Sequence, residues 1–112
     1  MNSIAGWGRA MVLATTAFIH PQESSADGFT GADFARWSIE SQDSYIQTSM
    51  TMAGVVFTRT EPQIATCIND WYFSGDRPEA RNETIRGTIT RHLHHHPAGV
   101  ILAMILEECP ER

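Results

Sequence analysis

The stretch Arg-His-Leu-His-His-His-Pro at residues 91–97 is the densest group of side chains that could do chemistry in this sequence. If the stretch is helical, His92 lies three residues from His95 and four from His96, which places the three on one side of a helix. Histidines with this spacing can bind zinc or copper, and histidines that charge near pH 6 can sense acid. The alternative is a set of solvated histidines at a helix C-terminus, where positive charge suits the helix dipole.

Cys67 and Cys109 are the two cysteines of the chain. Neither has a second cysteine at metal-site spacing, so the pair alone makes a poor metal site. In an exported domain an even number of cysteines suggests a disulfide, and this one would stabilise the fold by roughly 4 kcal/mol through loop closure. Two free buried thiols are the alternative for a cytosolic protein.

Enzymatic chemistry has little support in the sequence. It contains no GxSxG nucleophile elbow, no HExxH pair and no phosphate-binding glycine loop, and neither cysteine stands next to a base. We therefore predict a protein that is not an enzyme and needs no cofactor.

Three consecutive aromatic residues at 71–73 precede a Ser-Gly-Asp-Arg-Pro loop at 74–78. Trp71 continues an apolar helical stripe, so one of the two residues after it should be partly exposed. Exposed aromatic residues beside loop charges are typical of protein interfaces, although they can also pack under the loop. The residues that we predict to contact a protein partner are Tyr72, Asp76 and Arg77.

The first 26 residues have the pattern of an export signal. They carry one arginine, then an apolar run at 10–19, then small residues at Ser24 and Ala26. The pattern predicts a signal peptide over 1–26, cleavage after Ala26, and a periplasmic domain over 27–112 with no membrane segment. An N-terminal helix that stays and packs is the alternative.

Composition limits the remaining possibilities. The chain has 112 residues, a 42% hydrophobic content and three tryptophans, which indicates one small folded domain. Its formal net charge is −5, and its eight basic residues are all arginines that form no basic run. Such a surface cannot neutralise a phosphate backbone, so nucleic acid is excluded as a partner.

Helical periodicity runs through the whole of 27–112, which predicts an all-α bundle of about five helices stapled by one disulfide. Thr30 and Asp33 form a capping box, and the first helix should end between residues 41 and 43. The second helix should begin with Asp43 or Ser44 as its cap. Its predicted buried stripe is Ile46, Met50, Ala53 and Phe57, broadened by Met52 and Val56.

Turn and cap signals place the other three helices. Glu61-Pro62 marks the start of a helix over 62–73, and Asp76 with Pro78 marks the next start. The predicted apolar stripes are Ile64, Cys67, Ile68 and Trp71 in the third helix; Ile85, Ile89 and Leu93 in the fourth; and Ile101, Met104, Ile105 and Cys109 in the last.

The order of several short features resembles one known family. These features are Phe34-x-x-Trp37 at the start, Tyr45 and Met52-Ala53-Gly54 in the central helix, Cys67 before Ile68, Leu93-x-x-His96-Pro97, and Glu108-Cys109-Pro110 at the end. The sequence is similar over most of 29–110 to the periplasmic immunity proteins that neutralise type VI secretion amidase effectors, the Tai/Rap-type family. Its most specific piece is the Leu93-x-x-His96-Pro97 turn followed by the terminal cysteine.

This resemblance implies an all-helical binder without enzymatic activity that often dimerises. Such proteins block a peptidoglycan amidase by occupying its active-site groove, so the implied partner is a secreted amidase effector. An acidic inhibitor would suit a basic toxin, because opposite charges speed association.

Two other functions fit parts of the sequence. Periplasmic acid-stress chaperones of the HdeA type are also small, helical, exported and stapled by one disulfide, and the histidines and carboxylates could supply an acid trigger. Such a chaperone would lose structure and bind clients near pH 2–3. A periplasmic metal carrier would instead use His92, His95 and His96, and a zinc or copper titration would detect it.

Overall fold

A computed structural model describes residues 28–110, and the predicted signal peptide lies outside that range. The described chain is all-α and contains no strand. Its helices are α1 (Gly31–Ala35), α2 (Ile39–Thr60), α3 (Pro62–Ile68), α4 (Arg77–Thr90) and α5 (Pro97–Glu108), and α3 continues into a wide π-helical turn over Asn69–Phe73. The predicted class, a bundle of about five helices with one disulfide, is confirmed.

One apolar core joins all five helices. Ile46 and Met50 of α2 are fully buried, as the predicted stripe required, whereas Met52 and Val56 are more than half exposed, so the broader stripe was wrong. The reason is that α2 is covered along one side only. The core residues are Phe34, Ile46, Met50, Ile64, Ile68, Tyr72, Ile85, Ile89, Val100, Ile101, Ile105 and Cys109.

The boundary between the first two helices lies several residues earlier in the chain than the sequence predicted. Thr30 and Asp33 form the predicted capping box, but α1 ends at Ala35. Ser38, not Asp43 or Ser44, caps α2, because its hydroxyl accepts the backbone N–H of Ser41 at 3.1 Å. The buried side chain of Gln42 then donates to the carbonyl of Phe34 at 2.9 Å, which fixes the angle between the two helices.

The helix predicted over 62–73 exists, but its second half has different geometry. A π-helical turn has more residues per turn than an α-helix, so each residue rotates less around the axis. Tyr72 therefore follows Ile64 and Ile68 into the core and is fully buried, whereas Trp71 and Phe73 are half-buried. The prediction that one of the two residues after Trp71 is partly exposed is confirmed for Phe73, but the prediction of Tyr72 as a partner contact was wrong, because the π-helical turn places its side chain in the core.

The disulfide between Cys67 and Cys109 fastens the last residue of the bundle to α3. The two Cα atoms are 5.8 Å apart, and Cys109 is buried. Because 42 residues separate the cysteines, the bridge closes a loop that contains the π-helical turn, α4 and α5. No helix within residues 28–110 is long and apolar enough to cross a membrane.

Candidate functional site

The loop that we predicted to bind a partner is exposed at Asp76 and Arg77. Its conformation depends on the adjacent π-helical turn. The guanidinium of Arg77 donates to the carbonyl of Asp70 at 2.6 Å, and Nε of Arg81 donates to the carbonyl of Trp71 at 2.8 Å. Asp76 occupies the cap position of α4, but its side chain makes no capping hydrogen bond. The loop is therefore tied at its base by arginines and open at its tip.

Tyr72 cannot serve as the predicted contact, because its side chain is inside the core. Its hydroxyl donates to Oδ1 of Asn82 at 2.5 Å. Burial, followed by the negative charge of Asp43, raises the pKa of Tyr72 to about 12, while the hydrogen bond to Asn82 acts in the opposite direction. Asp43 in turn pairs with Arg86 across α2 and α4. Tyr72 thus belongs to a structural polar network and not to a docking surface.

The histidines do not lie on a helix. Because α4 ends at Thr90, residues 91–96 form a turn, so the helical spacing predicted for His92, His95 and His96 was wrong and Leu93 is left 42% exposed. The carbonyls of Leu93 and His95 accept N–H groups from the first turn of α1 at 3.1 and 2.9 Å. Nδ1 of His96 accepts the backbone N–H of Ala98 at 3.1 Å and caps α5.

A cleft of about 450 Å³, which we call the histidine cleft, opens between this turn and α5. His92 and His95 lie on one side with their ring centres 5.6 Å apart, and Met104 and Glu107 of α5 also line it. Within residues 28–110, no group of three His, Cys, Asp or Glu side chains is close enough to hold a metal ion. His96 also lines the cleft, with its Nδ1 already engaged in the α5 cap.

An apolar groove of about 260 Å³ runs between α2 and α5, and its lining includes Ala53 and Ile101. The exposed side chains of Met52 and Leu102 flank it. One turn further along each helix lie Val56 and Leu106, on the same sides as these two. We call this surface the α2–α5 face and define it by four residues, 37% to 58% exposed: Met52, Val56, Leu102 and Leu106.

The α2–α5 face also lacks charge. No Asp, Glu, Lys or Arg occurs in residues 44–58 of α2 or in residues 97–106 of α5, although the chain carries a net charge of −5. Most proteins of this size expose large apolar residues singly, and a contiguous apolar surface usually marks a contact with another molecule.

Sequence reasoning missed this surface, although its signal was present. Met52 and Val56 were noticed as extra apolar positions, but a helical pattern cannot tell whether a second helix covers them. Two long uncharged helical stretches in an acidic chain were the observation that could have indicated an exposed contact face.

Comparison with protein-family models, with curated proteins and with solved structures found no match for this chain. The chain's own residues and its sequence resemblance are therefore what point to a function.

Proposed function

We propose that this chain is an exported, non-enzymatic binding protein that inhibits a secreted peptidoglycan amidase, and that it docks through the α2–α5 face. The observation that carries the proposal is the uncharged, exposed apolar surface formed by Met52, Val56, Leu102 and Leu106. Burying such a surface against a partner removes apolar area from water, which favours association. The class of partner comes from the resemblance to amidase-immunity proteins.

The charge distribution favours a basic partner with an apolar contact patch. The net charge of −5 attracts a basic protein from a distance of several ångströms. The α2–α5 face itself carries no charged side chain that could repel the partner at close range. Asp76 and Arg77 are exposed and remain predicted contacts with the partner. Charges at an interface rim change association rates more than they change affinity.

Two features support export. The N-terminal pattern over 1–26 is that of a signal peptide, and the disulfide between Cys67 and Cys109 is typical of proteins in an oxidising compartment. The exported form should begin at Asp27, which the intact mass of the protein recovered from the periplasm would measure. A recovered mass that includes residues 1–26 would contradict this part of the proposal.

The docking proposal is tested by capture and inhibition with matched variants. Oxidised protein is immobilised and exposed to the secreted and envelope proteins of its own source cell. Met52→Asp and Leu102→Asp place a charge on the α2–α5 face, and Ile39→Asp places one on an equally exposed apolar residue at the start of α2. We expect one partner to be captured by the wild type and by Ile39→Asp, and to be lost from the two face variants.

The captured protein must also have the predicted activity. We expect it to cleave peptidoglycan amide bonds, and we expect added wild-type protein, but not Leu102→Asp, to stop the reaction at equimolar amounts. A partner without amidase activity would contradict the amidase assignment. Equal capture by Leu102→Asp and the wild type would contradict the docking surface.

A second copy of the chain is the competing occupant of this face, and sedimentation of the purified protein measures it. A monomer at micromolar concentration agrees with the proposal. A stable dimer that Leu102→Asp dissociates would show that the face serves self-association, and docking of the amidase there would then be wrong.

A further inference from the structure

The histidine cleft holds two kinds of metal-binding atom that the proposed function does not use. His92 and His95 bring two imidazoles to one side of the cleft, and the half-buried Met104 of α5 lines the same cleft. The rest of the lining is largely apolar and includes Val100 and Ala103. We propose that this cleft is a binding site for Cu(I), with His92, His95 and Met104 as its ligands.

The separation of the two imidazoles suits one shared ion. A metal–nitrogen bond of about 2.0–2.1 Å places the ion roughly 3.2 Å from the centre of each ring. Ring centres 5.6 Å apart then subtend an angle of about 120° at the ion, the angle of a trigonal site. The rings are nearly perpendicular to each other, so binding of one ion requires both exposed side chains to turn a ring nitrogen toward it while their ring centres stay about this far apart.

The third ligand decides which metal the cleft prefers. No group of three His, Cys, Asp or Glu side chains in the described chain is close enough to hold an ion, so zinc finds only two of its usual protein ligands here. Thioether sulfur binds soft ions and selects Cu(I), which imidazole also binds well. Met104 therefore completes a site for Cu(I) and leaves the zinc site incomplete.

Two neighbouring groups that look like ligands are excluded from this set. Nδ1 of His96 already accepts the N–H of Ala98 and caps α5, so ligation through Nδ1, or through Nε2 with the ring proton on Nδ1, would cost a helix cap. The carboxylate of Glu107 is a hard ligand that prefers ions such as Mg²⁺ and Ca²⁺. This distinguishes the site from the set His92, His95 and His96 that helical spacing suggested.

The test is a Cu(I) titration of the full-length, oxidised protein. The copper is reduced with ascorbate under nitrogen, and a chromophoric Cu(I) chelator competes for it and reports its free concentration. Met104→Leu keeps the volume and apolar character of the side chain, and such swaps cost little stability. We expect one Cu(I) per wild-type chain, at least tenfold weaker binding by Met104→Leu, and zinc binding weaker than Cu(I) binding.

The chain offers a matched control for each ligand type. His94 belongs to the same tract but does not line the cleft, and Met52 is an exposed methionine elsewhere. His94→Asn and Met52→Leu should bind Cu(I) as the wild type does, whereas His95→Asn should bind it at least tenfold more weakly. Unchanged affinity in either Met104→Leu or His95→Asn, each with a wild-type melting temperature, would overturn the proposal.

Discussion

Gly31 lies against the backbone of the end of α4 and of the turn that follows it. A Cβ atom added there would lie 2.8 Å from the carbonyl oxygen of Ile89 and 2.9 Å from that of His92. Its own N–H donates to the carbonyl of His95 at 2.9 Å. Glycine is required at this residue because backbone atoms, which cannot move aside individually, occupy the space of any side chain.

Replacement of this glycine should destabilise the protein. We expect Gly31→Ala to lower the free energy of unfolding by about 1–3 kcal/mol, the usual cost of overpacking. Gly54→Ala is the matched control, because nothing lies within 4 Å of the added Cβ and alanine is favoured over glycine within a helix by up to about 1 kcal/mol. Denaturant unfolding measures both variants, and equal stabilities would contradict the packing described for Gly31.

The buried phenol of Tyr72 makes the free energy of unfolding depend on pH in the alkaline range. Its pKa rises from 10 in the unfolded chain to about 12 in the fold, mainly because burial disfavours the charged phenolate. A raised folded-state pKa contributes stability that is complete below pH 10 and is lost as the pH rises through 12.

We therefore expect the free energy of unfolding to fall between pH 10 and pH 12, and to fall less steeply in Tyr72→Phe. The chain has only two tyrosines, so Tyr45→Phe leaves Tyr72 as the single phenol. Its absorbance change should then occur near pH 12 together with unfolding. Ionisation near pH 10 in the folded Tyr45→Phe protein would contradict the buried position of Tyr72.

At the scale of elements, the start of α5 depends on one imidazole. Nδ1 of His96 accepts the N–H of Ala98, and Pro97 fills the next position, where a missing N–H does no harm. The same helix lines both the histidine cleft and the α2–α5 face. Its first turn therefore positions two surfaces at once.

Substitution of His96 should show whether the side chain acts as a cap. His96→Ala should cost about 1 kcal/mol of stability, whereas His96→Asn should cost little, because asparagine is among the best N-cap residues. Thermal unfolding of the three proteins at neutral pH provides the comparison. Equal losses in the two variants would mean that the ring contributes by packing on Phe29, whose ring centre is 5.4 Å away.

Local signals in the sequence predicted two of the helix starts. The Thr30–Asp33 capping box and the helix start at Glu61-Pro62 each need only neighbouring residues, and both were found where predicted. The end of α1 at Ala35 was missed because the local cap at Ser38 was overlooked, and Gln42 then reaches back to a carbonyl of Phe34. That contact requires the angle between two helices, which periodicity does not contain.

The candidate site was less predictable than the fold for the same reason. The π-helical turn moved Tyr72 into the core, and no residue type in 69–73 announces such a turn. The end of α4 at Thr90 removed the helical spacing of the histidines. Whether Met52 and Leu102 are exposed depends on whether another helix covers that side of α2 and α5. The arrangement of the whole bundle decides this, and the pattern of one helix does not contain it.

At the scale of the whole molecule, the disulfide joins α3 to the end of α5 and encloses α4. Loop-closure entropy for the 42-residue separation corresponds to roughly 4 kcal/mol. We expect the double variant Cys67→Ser and Cys109→Ser to lose about that much stability, measured by denaturant unfolding of both proteins. A loss below about 1 kcal/mol would contradict the role of the bridge as a main staple of this small core.

The position of the bridge also bears on docking. Cys109 follows the last turn of α5 directly, so the disulfide holds the helix that carries Leu102 and Leu106 against α3. A surface that is held in place before binding loses little conformational entropy when a partner covers it. The reduced protein should consequently bind its partner more weakly than the oxidised protein.

The affinity of the captured partner for two variants distinguishes docking on the α2–α5 face from docking on the 74–78 loop. Leu102→Asp alters the α2–α5 face, and the double variant Asp76→Ala and Arg77→Ala alters the 74–78 loop. Because residues at the centre of an interface carry most of its energy, we predict that Leu102→Asp weakens binding at least ~30-fold, or about 2 kcal/mol, and that the loop variant weakens it less than ~5-fold. Wild-type affinity in Leu102→Asp, with a large loss in the loop variant, would contradict docking through the α2–α5 face.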